Sequence, residues 1–144
     1  MKISTKGRYA LRLMLDLAWN LSGNPIRLRD VAKRQEISEK YLEQIISILN
    51  KAGFVHSVRG PQGGYVLTRA PEEYTVGMIL RLTEGSLCPV ACAGEEDGSC
   101  GRADNCVTRR LWKKLDDAIC GVVDTITLQD LLDWQKDGAD DYVI

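Results

Sequence analysis

Four of the five cysteines of this 144-residue chain, Cys88, Cys92, Cys100 and Cys106, fall in one segment, LCPVACAGEEDGSCGRADNC. Thiolates are soft ligands, and several in one loop suit zinc or an iron–sulfur cluster. The spacing is C-x3-C-x7-C-x5-C. Zinc sites usually pair ligands two to four residues apart, and only Cys88 and Cys92 approach that. The segment holds glycines, an acidic run and almost nothing that could form a core. A metal centre can order such a segment, because ligation free energy substitutes for packing. Cys120 stands apart within a helical pattern, where a thiol acts as a small core residue. The single histidine, His56, lies in a strand-like stretch and reads as an ordinary strand residue. No Ser/His/Asp set, HExxH or P-loop pattern is present. The chain is therefore not expected to be an enzyme or to take a small-molecule substrate.

The cysteines need a scaffold, and the rest of the chain is that of an ordinary globular domain, 44% hydrophobic and 27% charged. No run of about 18 apolar residues exists, so no membrane partner is expected. The opening stretch MKISTKGRYALRLML lacks the uninterrupted apolar core of a secretory signal. The expected compartment is the cytoplasm, where thiols stay reduced and serve metal or redox chemistry rather than structural disulfides. Charge is segregated: residues 1–80 carry 12 Lys and Arg against 7 Asp and Glu, residues 81–144 carry 7 against 13. A basic front half suggests a polyanionic partner for that half alone.

The apolar residues Ala10, Leu13, Met14, Leu17, Ala18 and Leu21 recur at helical spacing, with Ser4 or Thr5 as cap. A short second helix is marked by Leu28, Val31 and Ala32. A third follows Ser38, with Tyr41, Leu42, Ile45, Ile46 and Leu49 as its stripe and Gly53 past its end. The stretch FVHSVRGPQGGYVL predicts a β-hairpin with a Gly/Pro turn. Further helices are expected after Thr75, over about 104–124, and after Thr127.

This order describes a mainly α winged helix-turn-helix fold with a small β-hairpin wing. The expected organisation is a DNA-binding domain over residues 1–80 and a connecting helix with a cysteine-rich loop over 81–106. A long dimerisation helix and a C-terminal helix then occupy 107–144. The partner is double-stranded DNA, with the third helix in the major groove and the wing at the backbone or minor groove. Ser38, Lys40, Tyr41 and Gln44 stand near the start of the third helix, where base edges and phosphates are reached. Arg59 supplies charge on the wing, and Gly60, Gly63 and Gly64 are expected to let its main chain approach the duplex. Leu111, Leu115, Ala118, Val122 and Ile126 form a stripe that a compact front half cannot cover, which predicts a homodimer.

The stretches STKGRYALRLMLDLA, ISEKYLEQIISILNKAGFVHSVRGPQGGYVL and CVTRRLWKKLDD with TITLQDLL resemble the Rrf family of bacterial transcription regulators, nearest its iron–sulfur cluster regulators. The resemblance runs from Met1 to about Gln135. It implies a homodimeric winged-helix repressor or activator whose cysteine loop holds a two-iron, two-sulfur cluster. It also adds Glu43 to the DNA-reading residues, as a group that influences which sequences are accepted. The matching cluster ligands are Cys92, Cys100 and Cys106. The histidine that completes the set in relatives is replaced by Arg109, and a carboxylate used elsewhere in the family is replaced by Arg8. Cys88, the extra thiol, is then expected as fourth ligand. The alternative the family offers is a clusterless repressor of cysteine metabolism acting through a partner protein.

Overall fold

Helix starts in this chain fall where a hydroxyl can accept from the first turn. The computed structural model describes residues 2–94, 101 and 105–140. Ser4 Oγ accepts from Gly7 N–H at 3.1 Å and opens α1 (Thr5–Trp19). Ser38 Oγ accepts from Tyr41 N–H at 3.3 Å and opens α3 (Glu39–Lys51). Thr75 Oγ1 accepts from Met78 N–H at 3.1 Å and opens α4 (Val76–Glu84). At α6 (Leu128–Asp140) the cap is reciprocal: Asp130 N–H donates to Thr127 Oγ1 at 3.1 Å, and Thr127 N–H donates to Asp130 Oδ2 at 2.9 Å. Only α2 (Leu28–Gln35) among these lacks a side-chain cap, and it ends on Glu36 at φ 54°, a left-handed residue at the tight turn into α3.

The core gathers Leu13, Met14 and Leu17 of α1, Val31 of α2, Leu42, Ile45 and Leu49 of α3, and Ile79 of α4. Each contributes about 1.5–3 kcal/mol by leaving water. Leu128 and Leu132 of α6 belong to the same core, so the C-terminal helix returns to pack on α1.

Strands β1 (Val55–Val58) and β2 (Gly64–Leu67) pair antiparallel, Val55 opposite Leu67 and Val58 opposite Gly64. Ile26 adds a third rung: its N–H donates to Tyr65 O at 2.9 Å, and Tyr65 N–H donates back to Ile26 O at 2.8 Å. The base of the hairpin is held by Tyr74, which is fully buried. Its hydroxyl donates to Phe54 O at 2.7 Å and accepts from Thr68 N–H and Arg69 N–H, each at 3.1 Å.

Helix α5 (Val107–Val123) begins later than the periodicity predicts, with Cys106 as its N-cap. It buries no residue fully, and Leu111, Leu115 and Val122 are 55%, 42% and 56% exposed. Its far end is rooted by Arg81, whose Nη1 and Nη2 reach Asp124 at 2.5 and 3.0 Å. Among the described residues, six α-helices and one hairpin make the winged helix-turn-helix fold that the sequence implied.

Candidate nucleic-acid interface and cysteine loop

The stripe of α3 decides what the helix shows to solvent. Leu42, Ile45, Ile46 and Leu49 turn inward, which leaves Lys40, Glu43 and Gln44 exposed together on the outer face. Ser38 is exposed as well, its hydroxyl oxygen occupied as the helix cap. Tyr41 is half-buried: its ring meets Tyr9 edge-on at 5.7 Å, and the Arg12 guanidinium lies 5.3 Å from the Tyr9 ring. Tyr41 thus anchors the start of α3 to α1 while one edge stays accessible.

The wing glycines have a more immediate role than access to a duplex. A Cβ on Gly63 would strike the Val58 carbonyl and lie 2.8 Å from Gly60 O. One on Gly64 would fall on the main chain of Ile26, 2.5 Å from its carbonyl carbon. Gly60 sits at φ 112°, where a side chain is strained. All three close the turn and seat the hairpin on residue 26, and Arg59 is exposed at its edge. Arg27 adds a further tie, its Nη2 donating to Pro61 O at 2.5 Å.

Asp16 was not singled out by the sequence. Its carboxylate is 2% exposed and fully partnered: Arg34 Nη2 and Nε donate at 2.7 and 3.0 Å, Gln35 Nε2 at 3.0 Å and Asn20 Nδ2 at 3.3 Å. Arg12 Nε adds a bond to Gln35 Oε1 at 3.1 Å. The end of α2, and with it the turn into α3, is thereby fixed to α1. The available signal was an acid inside an apolar stripe, between Met14 and Leu17.

Among the cysteines, Cys100 lies outside the described residues. Cys92 sits on a 3-10 turn (Ala91–Ala93), and Arg109 Nε in the first turn of α5 donates to its carbonyl at 3.0 Å. Cys106, half-buried, has its Sγ 3.2 Å from Thr108 Oγ1. The described structure therefore brings Cys92 and Cys106 to one end of α5. That end is the positive pole of the helix, with no acidic residue in its first turn and with Arg109 and Arg110 beside it. A donor set of thiolates in this setting suits an anionic thiolate-ligated cluster.

Cys88 borders the turn that carries Cys92, its Sγ 3.9 Å from where a Cβ on Gly94 would stand. Its thiol donates to Val90 O at 3.0 Å. Burial pushes its pKa up, with Asp116 and Cys120 adding to this and a backbone bond at Val90 opposing it. Cys120 is half-buried rather than a core residue, and its Sγ accepts from Arg81 Nη2 at 3.6 Å. His56 is an exposed residue of β1.

Comparison with known proteins covers all these features. The HTH-type transcriptional regulator IscR of Escherichia coli is 41% identical over 136 residues, 94% of this chain and 83% of the relative. The structure of T. potens IscR matches with a TM-score of 0.76 at 43% identity, covering all of this chain and 93% of that one. CymR (YrzC), the global cysteine regulator of B. subtilis, matches with a TM-score of 0.78 at 42% identity, over 93% and 98% of the two chains. These relatives are regulators, not enzymes. The Rrf2 family model, described as iron-dependent transcriptional regulator, matches residues 3–134, from the first helix through the wing and the cysteine loop to α6. The chain belongs to the Rrf2 family of transcriptional regulators.

Proposed function

We propose that this regulator works as a cytoplasmic homodimer whose operator binding is tuned by a two-iron, two-sulfur cluster held by Cys92, Cys100 and Cys106. The observation that carries the reading is the placement of Cys92 and Cys106 at the positive end of α5, joined through Arg109. When bound, the cluster supplies a redox-sensitive thiolate-ligated centre. Arg109 cannot be a ligand, since a guanidinium stays protonated and offers no lone pair. Its part is to bridge the cysteine turn to α5 and to place positive charge beside the thiolates. Cys88, the extra thiol beside the Cys92 turn, is the proposed fourth ligand.

DNA recognition falls to the exposed face of α3 and the wing, through Ser38, Lys40, Tyr41, Glu43, Gln44 and Arg59. Two half-sites related by two-fold symmetry are expected for a dimer. The dimer rests on the uncovered stripe of α5 and on an apolar groove of about 350 Å³ beside it, lined by Leu80, Leu87, Ile119 and Val122 among others. A second copy of α5 is the occupant that suits both.

The test is anaerobic reconstitution with iron and sulfide, followed by operator titration with and without the cluster. Bound iron, visible absorbance and a change in operator affinity on loading are expected. Colourless protein with unchanged affinity would instead favour the second reading, a clusterless regulator acting through a partner protein. The likeness to CymR, a cysteine regulator, supports that alternative.

A further inference from the structure

The wing carries Arg59, yet a two-stranded hairpin with a five-residue glycine-containing tip, residues 59–63, has little of its own to hold it in register. Beyond Tyr74 at its foot and Val55 in the core, three hydrogen bonds fix it, and all three come from the stretch just ahead of α2. Two are the reciprocal main-chain bonds between Ile26 and Tyr65. The third is a side chain: Arg27, exposed and standing at the N-cap position of α2, reaches across to the Pro61 carbonyl at 2.5 Å. Pro61 follows Gly60 in the turn and lies two residues from Arg59. The Gly63 N–H to Gly60 O bond, at 2.9 Å, closes the same turn from within. Arg27 is thus the one side chain from outside the hairpin seen bonded to its tip among the described residues.

An arginine at a helix N-terminus opposes the helix dipole, so the place is not one that helix stability selects. What Arg27 gains there is a charge-assisted bond to an otherwise solvent-facing carbonyl. We infer that Arg27 is the positioning residue of the wing. It fixes the 60–62 turn against the start of α2, so that Arg59 and the α3 face are presented in one rigid geometry. This rests on the reading of the wing as a DNA contact.

The test uses the full-length protein and a duplex enriched by the wild type from a random library, with an unrelated duplex of equal length as control. Arg27→Met keeps the aliphatic stem and removes the donors. Affinity for the enriched duplex should fall about 5–30-fold, as for loss of one charge-assisted bond, with a smaller fall on the control. The slope of log affinity against log salt should stay unchanged, whereas loss of a phosphate contact would flatten it by about 0.9. The distinguishing readout is coupling: Arg59→Ala should cost less than half as much in the Arg27→Met background as in the wild type. Unaltered affinity, a flattened salt slope, or additive costs would each overturn the assignment. A wild-type protein that enriches no duplex would be a different result, failing the DNA reading itself.

Discussion

Replacing Arg34 by Met removes two of the four hydrogen bonds that hold the Asp16 carboxylate. The carboxylate is 2% exposed, so it has little access to water when Arg34 is gone. Taking one partner from a buried pair costs about 3–5 kcal/mol when both are enclosed. Here the Arg34 side chain is 41% exposed, and Gln35 and Asn20 still donate. The expected loss is therefore lower, about 2–3 kcal/mol of unfolding free energy. Asp16→Leu combined with Arg34→Met strands no charge, and should cost about 1–2 kcal/mol less than the sum of the single changes. Urea unfolding followed by circular dichroism, at fixed protein concentration, measures all three variants. A loss under about 0.5 kcal/mol for Arg34→Met, the level of an ordinary surface change, would refute the reasoning. Strict additivity would refute it equally, by showing that the two groups do not act on each other.

Cys92→Ser and Cys88→Ser should each lower bound iron or alter the visible spectrum after anaerobic reconstitution, and a Cys88→Ser protein that matches the wild type while Cys92→Ser loses iron would refute the four-cysteine set. Gly64→Ala should displace the hairpin from Ile26, costing about 1–3 kcal/mol of stability and most of the operator affinity, read by thermal melts and anisotropy titration. Tyr74→Phe should cost about 2–3 kcal/mol, because two N–H groups and one carbonyl lose a buried partner; a melt matching the wild type would contradict this. Leu115→Glu, on the uncovered stripe of α5, should shift the protein toward a 16 kDa species in analytical centrifugation, and an unshifted dimer would exclude that face.

The periodicities of α1, α3 and α6 were plain because each has one apolar face and a hydroxyl or carboxylate cap within the same few residues. The outer face with Lys40 and Gln44 followed directly, since the faces of a helix are complementary, whereas Glu43 entered through the family resemblance. What the sequence hid depends on residues far apart in it. Asp16 looks like a flaw in an apolar stripe until Arg34 and Gln35 come alongside. Tyr74 reads as a minor aromatic before α4, and its three hydroxyl bonds to residues 54, 68 and 69 exist only once the hairpin is folded. The spacing of Gly63 and Gly64 suggested openness to a ligand, whereas their neighbours are the chain itself.

Tyr74 stands at two junctions at once. Its hydroxyl binds the foot of the hairpin, and its carbonyl accepts from Leu128 N–H at 3.0 Å, five residues past the end of α5, with Val76 N–H to Ile126 O at 2.9 Å alongside. Helix α5 is thus an arm of about 26 Å with Cys106 and the Cys92 turn at its far tip and its pivot beside this residue. Levers of that shape reduce motion toward the fulcrum. A 1 Å sweep at the tip turns the arm by about 2°, and a backbone radius of about 2.3 Å converts this to roughly 0.1 Å at the pivot. Tilting the arm is a poor way to move the wing of the same subunit. In the proposed dimer two such arms would meet at their moving ends, so a signal borne by the cysteines would act first on the spacing of the subunits and, through it, on the separation of their recognition helices.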